Sequence, residues 1–373
     1  MEFIDLSRQY AVLKTEIDAN IHRVLSRCSF VNGPEIAELE QALAGYVGVK
    51  HALTVSSGTD GLLMPLLAWG IGPGDAVFTT PFTFVATAEV IALVGATPVF
   101  ADIDPDTFNL DPTKLRTAVE RICAEGRLNP RAVIPVDLFG QCADYDAILG
   151  IADEYGLIVL EDAAQGFGAT YHGKKAGSFG HASATSFFPA KPLGGFGDGG
   201  AVFTDDDALA ETLRSIRMHG QGDDRYENIR IGINGRLDTL QAAVLLPKLG
   251  AFDGEIARRN EVAARYSSHL SQHLKTPTVG QGCTSVWAQY SVIAGDGAQR
   301  AAILARLKAA DIPAMIYYAR PLHQQKAFDF LGHRKGDFPV AEDASRRIFS
   351  LPMHAYVEDA EVDAVSTAVL SAI

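Results

Sequence analysis

One lysine of the 373-residue chain stands in a setting suited to covalent chemistry. Lys191 lies in SFFPAKPLGGFGDGG, residues 186–200, between two prolines, after two phenylalanines and ahead of a dense run of glycines. A loop lysine is ordinarily a solvated charge. Here Phe187, Phe188 and Pro189 would strip water from its amine. Desolvation lowers a lysine's pKa and makes it a competent nucleophile toward an aldehyde. The glycines would let backbone pass close to a flat bound ring, although a flexible turn has the same use for them.

Two further segments offer partners for such a nucleophile. In IVLEDAAQ, an apolar run ends in Glu161 and Asp162, with Gln165 just beyond. A strand of this kind places a carboxylate at the carboxyl edge of a parallel sheet, where open α/β folds bind ligands. That carboxylate can keep a pyridinium nitrogen protonated; its plainer use is to cap the following helix. In VSSGTDGLL, Ser57-Gly58-Thr59 precedes a helical run, so the amides of Gly58 and Thr59 would point out of a helix N-terminus, which suits a phosphate dianion. Ordinary capping by Ser57 or Thr59 is the alternative. TTPFTFVAT follows, and either Phe82 or Phe84 could stack on a flat ring or simply fill core.

The elements that must position these groups are legible as an alternation. Runs at 76–80, 98–101, 132–136, 157–161, 184–188 and 200–204 read as strands, and 59–69, 86–94, 145–155 and 206–218 as helices. Strand–helix alternation predicts an α/β fold with a largely parallel sheet covered on both faces. After about residue 245 the pattern changes. A charged helical stretch at 252–273 leads into SVWAQYSVIA, read as a strand; a helix at 299–309, a strand at 314–318, a helix near 343–349 and a final helix from Glu358 follow. This predicts a large domain at 1–250 and a smaller α+β domain at 251–373, a size that exceeds one ordinary core.

Composition narrows the function classes. The net charge of −13 and the lack of a basic stripe exclude a general nucleic-acid binder. The opening MEFIDLSRQYAVLK has no signal-peptide pattern, and the most apolar stretch, 83–100, carries Glu89 and Pro98, which reads as buried helix and strand rather than a membrane span. Cys28, Cys123, Cys142 and Cys283 show neither metal nor disulfide spacing, so the expectation is reduced thiols, no metal and a cytoplasmic location.

Together the motifs SGTDGL, PFTFVATAE, EDAAQ, SFFPAKPLGGFGDGG and GINGRLDTLQAA strongly resemble the DegT/DnrJ-type sugar aminotransferases, from FIDL near the start to SLPMH near the end. The resemblance implies the fold type I architecture of pyridoxal 5′-phosphate (PLP) enzymes, with a seven-stranded-type sheet. It implies that Lys191 is the Schiff-base lysine, that Asp162 pairs with the pyridine nitrogen, and that Gln165 sits beside the ring hydroxyl. Gly58, Thr59 and Ser186 match phosphate contacts and Phe84 the stacking aromatic. Asn234 matches the asparagine that reaches the neighbouring subunit's cofactor, which implies a homodimer with shared active sites. Some relatives carry histidine at the lysine position and are dehydratases; Lys191 implies amino transfer instead.

Within the family, KPLGGFGDGGAVFT, NGRLDTLQAAVLLPKL, SVWAQYS and SLPMH are similar to enzymes that aminate UDP-2-acetamido-2-deoxy-3-oxo-glucuronate at C3 for surface polysaccharide, with L-glutamate as donor. Another member of the family, acting on a 3- or 4-keto-6-deoxy nucleotide sugar, is the rival reading, and a catalytically silent regulator is a third. A uronate needs a cationic partner, and guanidinium suits carboxylate. Arg236 is the leading candidate, ahead of Arg230 and Arg320. In IYYARPLHQQ, Tyr318 and His323 match the substrate-side loop, with Ala319 where many relatives have proline.

Overall fold

The structure, a computed structural model, describes every residue except Arg225. A seven-stranded sheet is built from β1 (His51–Val55), β2 (Asp75–Thr79), β3 (Thr97–Phe100), β4 (Asn129–Val133), β5 (Ile158–Asp162), β8 (Ala182–Ser186) and β9 (Gly200–Thr204). The short hairpin β6 (Thr170–Tyr171) and β7 (Lys174–Lys175) stands apart. Strand order across the sheet is β1-β9-β8-β5-β4-β2-β3. The pairs from β3 through β2, β4 and β5 to β8 are parallel, whereas β9 pairs antiparallel with both β8 and β1. The expected α/β class with a seven-stranded sheet is therefore present.

The helices are α1 (Leu6–Arg27), α2 (Pro34–Val47), α3 (Gly58–Ala68), α4 (Ala86–Leu93), α5 (Pro112–Glu125), α6 (Tyr145–Tyr155), α7 (Asp207–Arg217), α8 (Thr239–Leu270), α9 (Gly297–Ala309), α10 (Pro339–Arg347) and α11 (Asp359–Leu370). Several start where a short polar side chain accepts from the first-turn amides: Ser57 for α3, Asp111 for α5, Asp144 for α6 and Asp206 for α7. One apolar cluster joins α5 and α6 to one face of the sheet, and another joins α3, α4 and α7 to the opposite face. Because both faces are covered, neighbouring strand residues such as Val159 and Leu160 are buried alike, which is why these strands read as apolar runs rather than alternations.

In the C-terminal part, β10 (Tyr290–Ile293) pairs antiparallel with β11 (Ile348–Leu351), and α8, α9 and α11 pack over them around Tyr266, Tyr290, Phe349 and Val365. Several elements differ from the sequence expectation here. Residues 314–318 form no strand: a single bridge joins Met315 to Ser350, Pro313 before it has no N–H to give, and Tyr317 and Tyr318 turn toward a cavity. The helix expected near 343–349 is α10, which ends at Arg347, because Ile348 and Phe349 pair with Ile293 and Val292. The sequence reading did not separate α1, α2 and β1 as elements. Position 250/251 lies inside α8, which runs unbroken from the large sheet region to the C-terminal core. Among the described residues, no helix is long and apolar enough to cross a membrane.

Candidate active site

The sheet topology gathers the expected chemistry at one edge. β1 ends at Val55, just before Ser57-Gly58; β5 ends at Asp162; β8 ends at Ser186. Antiparallel β9 begins at the same edge, where Gly200 pairs with both Val55 and Ser186. The segment holding Lys191 must therefore loop out of this edge and back. A cavity of about 460 Å³ opens there, lined by Ser57, Gly58, Thr59, Thr83, Phe84, Thr87, Asp162, Gln165, Ser186, Phe188, Lys191, Asp198, Gln289, Tyr317 and Tyr318, with Ile4 at its rim. That volume is in the range of small-molecule sites.

Asp162 is almost wholly buried at the cavity floor. Its Oδ2 accepts from Thr87 Oγ1 at 2.8 Å and its Oδ1 from the Ala164 amide at 3.2 Å. Burial raises the pKa of this carboxyl; the Thr87 hydroxyl and the charge of Lys191 pull it back. Burial likewise lowers the pKa of the Lys191 amine, against the charge of Asp162. Protein atoms crowd Lys191 although part of its surface opens to the cavity.

Gln165 is held at both ends, accepting from the Phe139 amide at 3.0 Å and donating to the Tyr318 hydroxyl at 3.1 Å. A Cβ on Gly58 would lie 2.6 Å from the Ser186 Cβ, so only glycine lets the start of α3 sit against the end of β8. Ser57 caps α3 by accepting from the Asp60 amide at 3.0 Å. The amides of Gly58 and Thr59 donate to no described residue and remain available to an anion. Of the two phenylalanines, Phe84 lines the cavity and is half-exposed, whereas Phe82 is core, packed on Phe108, Phe139 and Tyr318.

Other candidates lie elsewhere. His323 is buried away from the cavity: the turn at Leu322–Gln324 seats it against Phe338, with its Nε2 3.1 Å from Glu342 Oε1. Asn234 is exposed and forms a bridge with Met218, while Arg236 is half-buried with Nη1 3.8 Å from the Met218 sulfur. Arg230 and Arg320 are also outside the cavity lining. Thr87 is not singled out by the sequence; its only signal is its place four residues after Thr83 in the segment already marked. Nor is Gln289, inside the marked SVWAQYS. Gln289 lines the cavity, and its buried Oε1 has no hydrogen-bond partner among the described residues. In a protein interior such an acceptor costs about 1–3 kcal/mol unless a ligand meets it.

These groups fit PLP: an amine of lowered basicity, a buried carboxylate, unpaired helix-terminal amides, an aromatic on the wall and an orphan acceptor. Comparison with known proteins decides the family. A model of the DegT/DnrJ/EryC1/StrS aminotransferase family matches residues 12–370. The chain belongs to this aminotransferase family. It is 48% identical over 369 residues, 99% of each chain, to the UDP-2-acetamido-2-deoxy-3-oxo-D-glucuronate aminotransferase of Pseudomonas aeruginosa. Its structure superposes with a TM-score of 0.97 on a DegT/DnrJ/EryC1/StrS aminotransferase from Brucella abortus, at 48% identity, covering 100% of this chain and 99% of that one. It also superposes on S. venezuelae DesV, solved in complex with a ketimine intermediate, with a TM-score of 0.94 at 37% identity, covering 99% and 97% of the two chains. The likeness in fold and the family membership agree with the expectation from the motifs.

Proposed function

We propose that this aminotransferase moves an amino group from L-glutamate to C3 of UDP-2-acetamido-2-deoxy-3-oxo-glucuronate, with PLP as cofactor. The observation that carries the reading is the convergence of Lys191, Asp162 and the open N-terminus of α3 on one cavity. The near full-length likeness to the Pseudomonas enzyme supports the choice of sugar.

PLP, when bound, supplies an electron sink for breaking the donor's α-carbon–hydrogen bond. The protein's own groups do the rest. Lys191 Nζ would anchor the cofactor covalently and, once freed by the amino donor, would as a neutral amine accept the proton that leaves the donor's α-carbon. Asp162 would keep the pyridine nitrogen protonated, and Thr87, which donates to its Oδ2, orients the carboxylate for this. The amides of Gly58 and Thr59, with Ser186, would receive the phosphate, Phe84 would cover a ring face and Gln165 would meet the ring hydroxyl; all five residues line the cavity. Tyr318, held by Gln165, lines the same cavity and would meet the sugar.

The working unit is a homodimer in the cytoplasm. Its support is the exposed position of Asn234, as a residue serving the neighbouring subunit must be, with Phe30, Val31, Ile229 and Ile231 all exposed on the same chain. Arg236, two residues on, is assigned to the sugar carboxylate from across that interface. The product feeds the synthesis of surface polysaccharide. Incubating the holoenzyme with the 3-oxo-glucuronate nucleotide and L-glutamate, then locating the new amine in the product, tests the reading. A 3-amino uronate is expected; comparable rates on a 4-keto-6-deoxy nucleotide sugar would overturn the assignment of the sugar.

A further inference from the structure

The segment carrying Lys191 is hydrogen-bonded by two side chains of α8, while Tyr10 of α1 packs edge-on against its Phe196, ring centroids 5.7 Å apart. The segment folds on itself, with the Lys191 amide donating to the Phe188 carbonyl at 2.8 Å and the Gly195 amide to the Phe187 carbonyl at 2.7 Å. Two side chains of α8 meet it from one face. Gln241 Oε1 accepts from the Phe196 amide at 2.7 Å. A Cβ on Gly195 or Gly197 would stand 2.8 Å from the Gln241 carboxamide, so the glycines there admit this side chain. Two helical turns further on, Lys248 donates from Nζ to the Gly194 carbonyl at 2.7 Å and lies 4.6 Å from the centroid of the Phe196 ring.

Lys248 is an unusual choice for its place. It is only 1% exposed, on a helix whose neighbouring buried positions include Val244, Leu245 and Phe252. Burying an ammonium is costly unless it is paired, and an aliphatic side chain could fill the same stem volume without that cost. What the ammonium adds is a bond to the backbone three residues beyond Lys191, plus a contact with the aromatic ring after it.

We propose that Lys248 and Gln241 are positioning residues that fix residues 194–196, and through them the reach of the Lys191 amine toward Asp162. The proposal rests on the reading of Lys191 as the cofactor lysine. The holoenzyme is compared with Lys248→Met and Lys248→Gln, following the visible absorbance of bound PLP against pH, the affinity for PLP, and the rate of the glutamate half-reaction. Lys248→Met is expected to melt and load like the parent. Its absorbance midpoint should move by about half a pH unit or more, and its half-reaction should slow about 10- to 100-fold, as misplacement of a reacting group does. Lys248→Gln, which keeps a donor, should recover part of both. A Lys248→Met enzyme with the parent's absorbance titration and half-reaction rate would overturn the proposal. Should Lys248→Met not fold, Gln241→Leu reads the same segment from the second contact, and parental behaviour there has the same consequence. Absence of any PLP absorbance in the parent would defeat the functional reading instead, so the two failures are distinct.

Discussion

Asp162 and Lys191 act on each other's protons across the cavity while burial opposes the charge of both. Burial pushes the Asp162 carboxyl up and the Lys191 amine down, and each charge pulls the other partway back. An amine of lowered pKa is a better nucleophile at neutral pH, and a carboxylate of raised pKa is a better partner for a ring nitrogen's proton. The cavity therefore prepares both groups before a cofactor arrives.

Removing the Asp162 charge should lower turnover far more than it lowers stability. Asp162→Asn is expected to reduce kcat about 100- to 1000-fold, the usual cost of losing a positioned electrostatic partner. Thr87→Val removes the 2.8 Å bond to Oδ2 and should weaken PLP binding about fivefold, equivalent to about 1 kcal/mol. Equilibrium PLP titrations beside steady-state rates check both; an unimpaired Asp162→Asn enzyme would remove the proposed role.

Gln289 gives a test in which stability and activity move in opposite directions. Its Oε1 has no partner among the described residues. Gln289→Leu should therefore leave the cofactor-free protein as stable as before or about 1 kcal/mol more stable. The same change should lower kcat/KM about tenfold, because a ligand group that donates to Oε1 loses its acceptor. Thermal melts of the apoprotein and rates on the sugar nucleotide measure the two arms. If stability falls and kcat/KM holds, Gln289 is a packing residue.

A buried pair of acids, Asp137 and Glu161, sets a pH dependence of folding. Asp137 Oδ1 accepts from the Ala143 amide at 3.0 Å and the Tyr145 hydroxyl at 2.8 Å, while Glu161 accepts from the amides of Gly177 and Phe179. Burial pushes Asp137 up to about 7 and, together with the charge of Asp137, holds Glu161 well above its ordinary value. A carboxyl whose folded pKa is raised favours folding in its protonated form. Its stabilising contribution is therefore full at low pH and is lost as pH climbs from the unfolded value of about 4 through the folded value. Urea unfolding of the apoprotein should show lower stability at pH 8 than at pH 5, and Asp137→Asn should flatten that slope. An unchanged slope in the variant would place the dependence elsewhere.

Much of the site was legible in the sequence because each part carries a local reason for its residue type. Gly58 must be small against Ser186, Asp162 closes an apolar strand, and Lys191 stands among prolines and phenylalanines. The central strands were legible for the same cause, burial on both faces. Long-range partners were not. Nothing local links Thr87 to Asp162, Gln289 to the large-sheet cavity, or His323 to Glu342. The choice between Phe82 and Phe84 also needed the fold, since both follow the same strand and only Phe84 faces the cavity. Residues 314–318 misled because an apolar, aromatic run reads as a strand even where a proline and the cavity wall leave it a single bridge.

The most direct test of the account is covalent. Reducing the holoprotein with borohydride fixes the carbon–nitrogen link between PLP and whichever amine holds it, and peptide mass spectrometry then locates the adduct. The account predicts the adduct on Lys191 and its disappearance in Lys191→Ala, with amino transfer abolished. An adduct on another lysine, such as Lys248, or amino transfer retained by Lys191→Ala, would contradict it.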